Sequence, residues 1–217
     1  MTSSRLTPLQ RDILEAFFRR ESRFFLTGGA ALAGYYLGHR ETADLDLFTT
    51  GDLLGDGETA LRAAASEIGA SIENIQTAPD FRRRLVRRGA DGVVVDLVHE
   101  RAPQGGEAKR QYGFVWVDPP GEILANKLCT LLSRAEPRDL VDVLALERGG
   151  LRVEEALPLA IRKDAGLTPG QLGWVLSQIS IGDDAVIPGG ATPSELRSFL
   201  SDLIVRLARL AFPRAAP

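Results

Sequence analysis

Cysteine is almost absent from this sequence: Cys129 is the single one among 217 residues. No intrachain disulfide can form, so the chain depends on a packed core, and a cytoplasmic home is expected. Histidine is nearly as scarce. His39 and His99 are the only two, and His99 has no second histidine or cysteine at zinc spacing. No Ser–His–Asp signature is present. Long apolar runs are missing as well. None approaches the roughly 20 residues that span a bilayer, so no membrane partner is expected. The opening stretch, MTSSRLTPLQRDILEAFFRR, lacks the apolar centre of a secretory signal and reads as an amphipathic helix. Internal repeats and low-complexity tracts are also lacking.

What remains is the composition of an ordinary globular protein, with 44% apolar and 25% charged residues. The net charge of −3 argues weakly against a surface coated in nucleic acid. It leaves room for a local basic patch, since whole-chain and patch charge are separate matters.

The pattern of elements changes along the chain. A helix is predicted over 7–20, with Thr7 as cap and Pro8 at its first position. RFFLT (23–27) reads as a strand, Gly28 and Gly29 as a turn, 30–37 as a helix and ADLDLF (43–48) as a strand. An alanine-rich helix follows over 57–69. Strands are predicted at 71–76, 81–88 and 92–98, the last two flanking the hairpin signal GADG, and another at 113–117. Beyond DPPGE only helices are expected, near 120–134, 137–148, 153–164, 168–179 and 193–211. The last carries a capping box from Thr192 or Ser194. The fold class is therefore α+β (mixed α/β): a lobe with a mixed sheet over 1–119, then an all-helical lobe over 120–217.

Between Thr27 and Phe48 the sequence reads TGGAALAGYYLGHRETADLDLF. On a strand, Asp44, Asp46 and Phe48 share one side and Leu45 and Leu47 the other. Two carboxylates on one face repel unless a positive charge lies between them. A hard cation such as Mg²⁺ or Mn²⁺ is suited to that place. Asp-x-Asp alone reads equally well as a solvated strand. Gly28 and Gly29 add weight, because free amides at a helix start favour an anion and glycine lets it approach closely. Glycine turn and acid pair together suit a metal-bound triphosphate. A third acid, Asp96, stands in DGVVVDLVHE, on one face with Val94 and Val98. Such an aspartate is costly to bury unless paired or metal-bound, whereas on an edge strand it faces water. Asp91 falls in the turn.

A second informative stretch is GEILANKLCTLLSRAEPRDLVDVLAL, 121–146. At about 100° per residue, Lys127 falls inside the arc of Ile123, Leu124, Leu128, Leu131 and Leu132, with Arg134 beside it. It either snorkels or aims a point charge at a phosphate. On the next helix Asp139 suits a helix start, while Asp142 lies among Val141, Val143 and Leu144.

These two stretches carry a resemblance. GG…HRETADLDLF is similar to the signature of the nucleotidyltransferase superfamily that includes polymerase β. Arg and Thr just before Asp-x-Asp resemble the abortive-infection toxins of the AbiEii/AbiGii family. KLCTLLSRAEPRDLVDV resembles that family's Lys–Arg–Arg-Asp–Asp segment. The resemblance implies a metal-dependent enzyme that moves a nucleoside monophosphate from an NTP to an acceptor hydroxyl and releases pyrophosphate. It implies catalytic and metal-binding roles for Asp44, Asp46 and Asp96. Nucleotide-binding roles follow for Gly28, Gly29, Lys127, Asp139 and Asp142, with Lys127 and Asp142 reaching a cleft from the helical lobe; Arg40, whose fork suits phosphate and carboxylate alike, is a candidate to bind the triphosphate or to anchor the loop. Its biological counterpart is the toxin of a toxin–antitoxin pair, with a cognate antitoxin protein and tRNA as acceptor. The usual superfamily pattern is Gly-Ser; here Gly29 stands where the serine would be.

FRRRLVRRGADG places five arginines between Arg82 and Arg88. Arg83 and Arg87 share one strand face, Arg82, Arg84 and Arg88 the other. The set reads either as a solvated hairpin or as an RNA-binding surface, with Arg83 and Arg87 as the candidate contacts. Two rival functions stay open: a transferase of the same fold acting on a small molecule or protein, and a non-catalytic binding module with a relic site.

Overall fold

The computed structural model describes residues 4–212. It forms two compact units. The first comprises the residues up to Arg101 together with Glu107–Pro119; the second comprises Ala102–Gly106 and the residues from Pro120 on. Among the described residues no helix is long and apolar enough to cross a membrane.

The first unit is built on a seven-stranded mixed sheet in the order β3-β4-β5-β2-β1-β7-β6. Its strands are β1 (Phe25–Thr27), β2 (Asp44–Thr49), β3 (Ser71–Ala78), β4 (Phe81–Arg88), β5 (Asp91–His99), β6 (Arg110–Tyr112) and β7 (Val115–Val117). Three helices belong to the same unit: α1 (Pro8–Phe18), α2 (Gly28–Ala31) and α3 (Leu54–Glu67). α1 starts where the sequence places it. The Thr7 hydroxyl accepts from the Gln10 amide at 3.2 Å, and the Gln10 side chain accepts from the Thr7 amide at 2.8 Å.

Alternation sets the layers. Leu45 and Leu47 of β2, Val95 and Leu97 of β5 and Leu26 of β1 are all fully buried. α1 and α3 pack against this sheet, and each large apolar side chain removed from water contributes roughly 1.5–3 kcal/mol. The opposite face of β2 carries Asp44, Asp46 and Phe48, all half-buried.

The expected helix over 30–37 differs in detail. α2 runs straight into a π-helical turn over Leu32–Tyr36, in which the Leu37 amide donates to the Leu32 carbonyl at 2.8 Å. Such widened turns gather at functional sites. β6 was not anticipated, because Arg110, Gln111 and Tyr112 are all exposed on the sheet edge and show no apolar alternation.

Among the described residues the α-helices of the second unit are α4 (Pro120–Ser133), α5 (Pro137–Arg148), α6 (Val153–Lys163), α7 (Pro169–Ser177) and α8 (Pro193–Ala211), and it has no strand. α8 opens with the Thr192–Glu195 capping box. A buried pair, Lys163 Nζ to Glu122 Oε1 at 2.6 Å, ties α6 to α4. The Gly105 amide donates to the other Glu122 oxygen at 2.7 Å and anchors the short segment before it.

Candidate active site

The sheet register gathers the acids of the first unit. β2 and β5 are parallel, with Asp44 opposite Val94 and Asp46 opposite Asp96. β1 runs antiparallel to β2 and sets Thr27 opposite Asp46. β4 runs antiparallel to β5 and sets Arg83 opposite Asp96. One transverse row therefore reads Arg83, Asp96, Asp46, Thr27 across four neighbouring strands, and Asp44 stands two residues from Asp46 on the same face. β5 is internal rather than an edge, and Asp96 is only 5% exposed.

Each acid has a distinct environment. The Thr42 hydroxyl donates to Asp44 Oδ1 at 2.7 Å. Arg83 grips Asp96 with both arms of its fork, Nε to Oδ1 at 2.8 Å and Nη2 to Oδ2 at 2.7 Å. The pKa of Arg83 is raised, chiefly by that hydrogen bond; partial burial opposes the rise, and the charges of Asp96, Asp44 and Asp46 add to it. All three carboxylates thus act on one guanidinium.

The glycine turn abuts the same row. Gly28 has φ +65°, and a Cβ there would lie 2.3 Å from Asp46 Oδ2. Gly29 meets a different neighbour: a Cβ on it would lie 2.6 Å from Arg40 Nη2. Arg40 is buried, and its Nη1 donates to the Glu41 carbonyl at 2.9 Å. The space beside Gly29, where the usual pattern has a serine side chain, is taken by this guanidinium.

The donors suit a hard divalent ion in kind, since all three are carboxylates on one face. Among the described residues no three acidic, histidine or cysteine side chains are drawn together tightly enough to hold an ion as they stand. Asp44 and Asp46 fit such an ion as donors. Asp96 fits in type, but both of its oxygens face Arg83.

The second unit carries its own polar cluster. Lys127 is turned inward and only 7% exposed, as its place in the leucine arc implies. Its Nζ lies 2.8 Å from Asp139 Oδ1 and 2.6 Å from Asp142 Oδ2, and both acids are fully buried on α5. Arg134 adds a second cation on Asp139, Nε to Oδ2 at 2.9 Å. Burial alone pushes the Lys127 ammonium down, but the charges of Asp142 and Asp139 more than offset it, and its pKa is raised. Burial likewise pushes the Asp139 carboxyl up, and hydrogen bonds from Arg134 and Lys127 overcome it, leaving the pKa lowered.

The arginine hairpin is largely neutralised within the chain. Arg84 is buried and pairs with Glu58 at 3.0 Å. Arg87 pairs with Glu73 at 3.1 Å and Arg88 with Asp12 at 2.7 Å. Arg82 donates to the carbonyls of Ala78 and Phe81. Of the two candidate RNA contacts, Arg83 thus holds Asp96 and Arg87 an exposed glutamate. His99 Nδ1 lies 3.2 Å from Asp80 Oδ1.

The role of Arg83 on Asp96 escaped the sequence reading, although a signal for it existed. The two-residue turn at Gly89 and Ala90 makes Arg88 the partner of Asp91, and counting outward pairs Arg83 with Asp96. Thr27 was missed too; its nearness to Asp46 depends on the β1–β2 pairing.

Over residues 12–212 the sequence matches the family described as "Nucleotidyl transferase AbiEii toxin, Type IV TA system". The chain belongs to the AbiEii nucleotidyltransferase toxin family. This AbiEii protein is a nucleotidyltransferase enzyme, and its α+β fold is that of solved nucleotidyltransferases. It is similar to JHP933 from Helicobacter pylori, at 23% identity and TM-score 0.59, covering 93% of this chain and 89% of that one. It is also similar to MenT4, the nucleotidyltransferase toxin Rv2826c from Mycobacterium tuberculosis H37Rv, at 20% identity and TM-score 0.59, covering 95% and 83%. Among curated proteins none matches the sequence.

Proposed function

We propose that this AbiEii protein moves a nucleoside monophosphate from an NTP to a hydroxyl of an RNA acceptor, tRNA being the first choice, with a divalent ion at the acid row. The observation that carries the reading is the placement of Asp44, Asp46 and Asp96 on one sheet face, beside a glycine turn whose Gly28 lies against Asp46. Asp44 and Asp46 would hold Mg²⁺ or Mn²⁺, joined by Asp96. Such an ion supplies charge stabilisation at the attacking and leaving oxygens.

The rest is the work of the chain. Gly28 and Gly29 let the backbone pass close to Asp46 and Arg40, and Arg40 beside Gly29 offers a fork donor in place of a serine hydroxyl. Asp96 is also the group suited to accept the proton of the attacking hydroxyl. In the helical unit, Lys127 lies between Asp139 and Asp142 and balances their charge. As a member of a toxin–antitoxin family the protein is read as a growth inhibitor opposed by a cognate antitoxin.

The test is incubation with each labelled NTP in turn, Mg²⁺ and total RNA, followed by separation of the products. Label in the tRNA band, lost in Asp46→Asn and without Mg²⁺, is expected. Label in a protein or small-molecule fraction instead moves the acceptor to those classes. No labelled product from any NTP would defeat the reading.

A further inference from the structure

Asp96 and Arg83 differ in freedom to move. The Asp96 side chain is 7% exposed within an internal strand, whereas the Arg83 side chain is 42% exposed. The guanidinium has its carbon over the Phe81 ring, 5.3 Å from the ring centre. Its two arms engage both oxygens of Asp96, the planar fork-to-fork geometry that suits arginine and carboxylate best. Arg84, one residue on, is different: its side chain is 3% exposed and locked on Glu58.

Three carboxylates sharing one face repel one another unless a cation lies among them. Arg83 is a cation that this structure supplies to the row, and both arms of its fork sit on Asp96. We propose that Arg83 is an internal counter-ion that guards Asp96: it neutralises the acid row while no metal is bound, and it must leave Asp96 before that carboxylate joins the metal site. The inference rests on the reading of Asp96 as a metal-binding acid. The arginine is the partner that moves, because turning an exposed side chain disturbs little packing and turning Asp96 would disturb a buried strand. Once displaced, the guanidinium stays tethered beside the row, positioned to meet the polyphosphate that accompanies the ion. Arg83 is on this view a positioning residue that couples metal entry to nucleotide entry.

Mn²⁺ alone is the probe, with free Mn²⁺ read by electron paramagnetic resonance. Arg83→Gln should bind Mn²⁺ about fivefold to tenfold more tightly than wild type, because a competing cation is gone. Asp96→Asn should abolish most of that gain when combined with Arg83→Gln. Arg83→Lys keeps the charge without the fork and should fall between the two. On the unaltered protein, the Arg83 Nε–H resonance should shift as Mg²⁺ is added. Unchanged or weaker Mn²⁺ binding in Arg83→Gln, with binding still lost in Asp46→Asn, overturns the guard and leaves the metal reading intact. So does an Nε–H resonance that stays still while Mg²⁺ binds. If wild type binds no Mn²⁺, the metal reading fails and the guard falls with it.

Discussion

Arg40 fills the space that a side chain at Gly29 would need: a Cβ on Gly29 would lie 2.6 Å from its Nη2. The two positions are therefore one unit. Gly29→Ser, which restores the usual superfamily residue, should displace the buried guanidinium and destabilise the protein by roughly 1–3 kcal/mol, the ordinary range for overpacking. In an Arg40→Ala background the same change should cost distinctly less, since its obstacle is gone. Denaturant melts of the four proteins measure this coupling, and strictly additive losses would show the contact to be unimportant.

Gly28 is constrained twice, by φ +65° and by Asp46 Oδ2 at 2.3 Å from its would-be Cβ. Gly28→Ala should add about 1–2 kcal/mol of backbone strain and push the Asp46 carboxylate aside. Nucleotidyl transfer should then fall nearly as far as in Asp46→Asn, with the fold retained by circular dichroism. Activity close to wild type would mean that Asp46 tolerates displacement.

Lys127 faces two fully buried carboxylates. Lys127→Ala removes the cation that both acids share, with Arg134 still on Asp139, and should destabilise the chain by roughly 3–5 kcal/mol, as breaking a buried ion pair does. Chemical denaturation reads the loss, and NTP affinity measured well below the melting temperature separates it from any direct contact. A small loss of stability with a large loss of affinity would assign Lys127 to the nucleotide.

The same cluster sets a pH window. Asp139 has its pKa lowered from the ordinary 3.8 in the folded state, so its contribution is present above that value and fades as pH falls through the folded one. Lys127 has its pKa raised above 10.5, so its contribution is full below that value and fades as pH rises through the folded one. Their joint support should be flat between the two limits. Asp139→Asn should blunt the acid limb of a stability–pH curve, and an acid limb of undiminished steepness in that variant would show that other carboxylates control it.

Most of the elements were written in local sequence. Thr7 with Gln10 and Thr192 with Glu195 fixed two helix starts, because a cap needs only residues three apart. Alternation in ADLDLF put the leucines inward and the acids together, because a strand's period is two whatever surrounds it. The leucine arc turned Lys127 inward for the same kind of reason. What local pattern could not supply was partnership. The register of β2 on β5 brought Asp96 beside Asp46 from fifty residues away. The β4–β5 hairpin carried Arg83 onto Asp96, a pairing that the run of arginines does not announce and that only the length of the turn fixes. The polar edge strand β6 forms because β7 offers free backbone groups, and no side-chain pattern announces it. Periodicity follows from the geometry of one segment, whereas the partner of a charge depends on which distant backbone lies next to it.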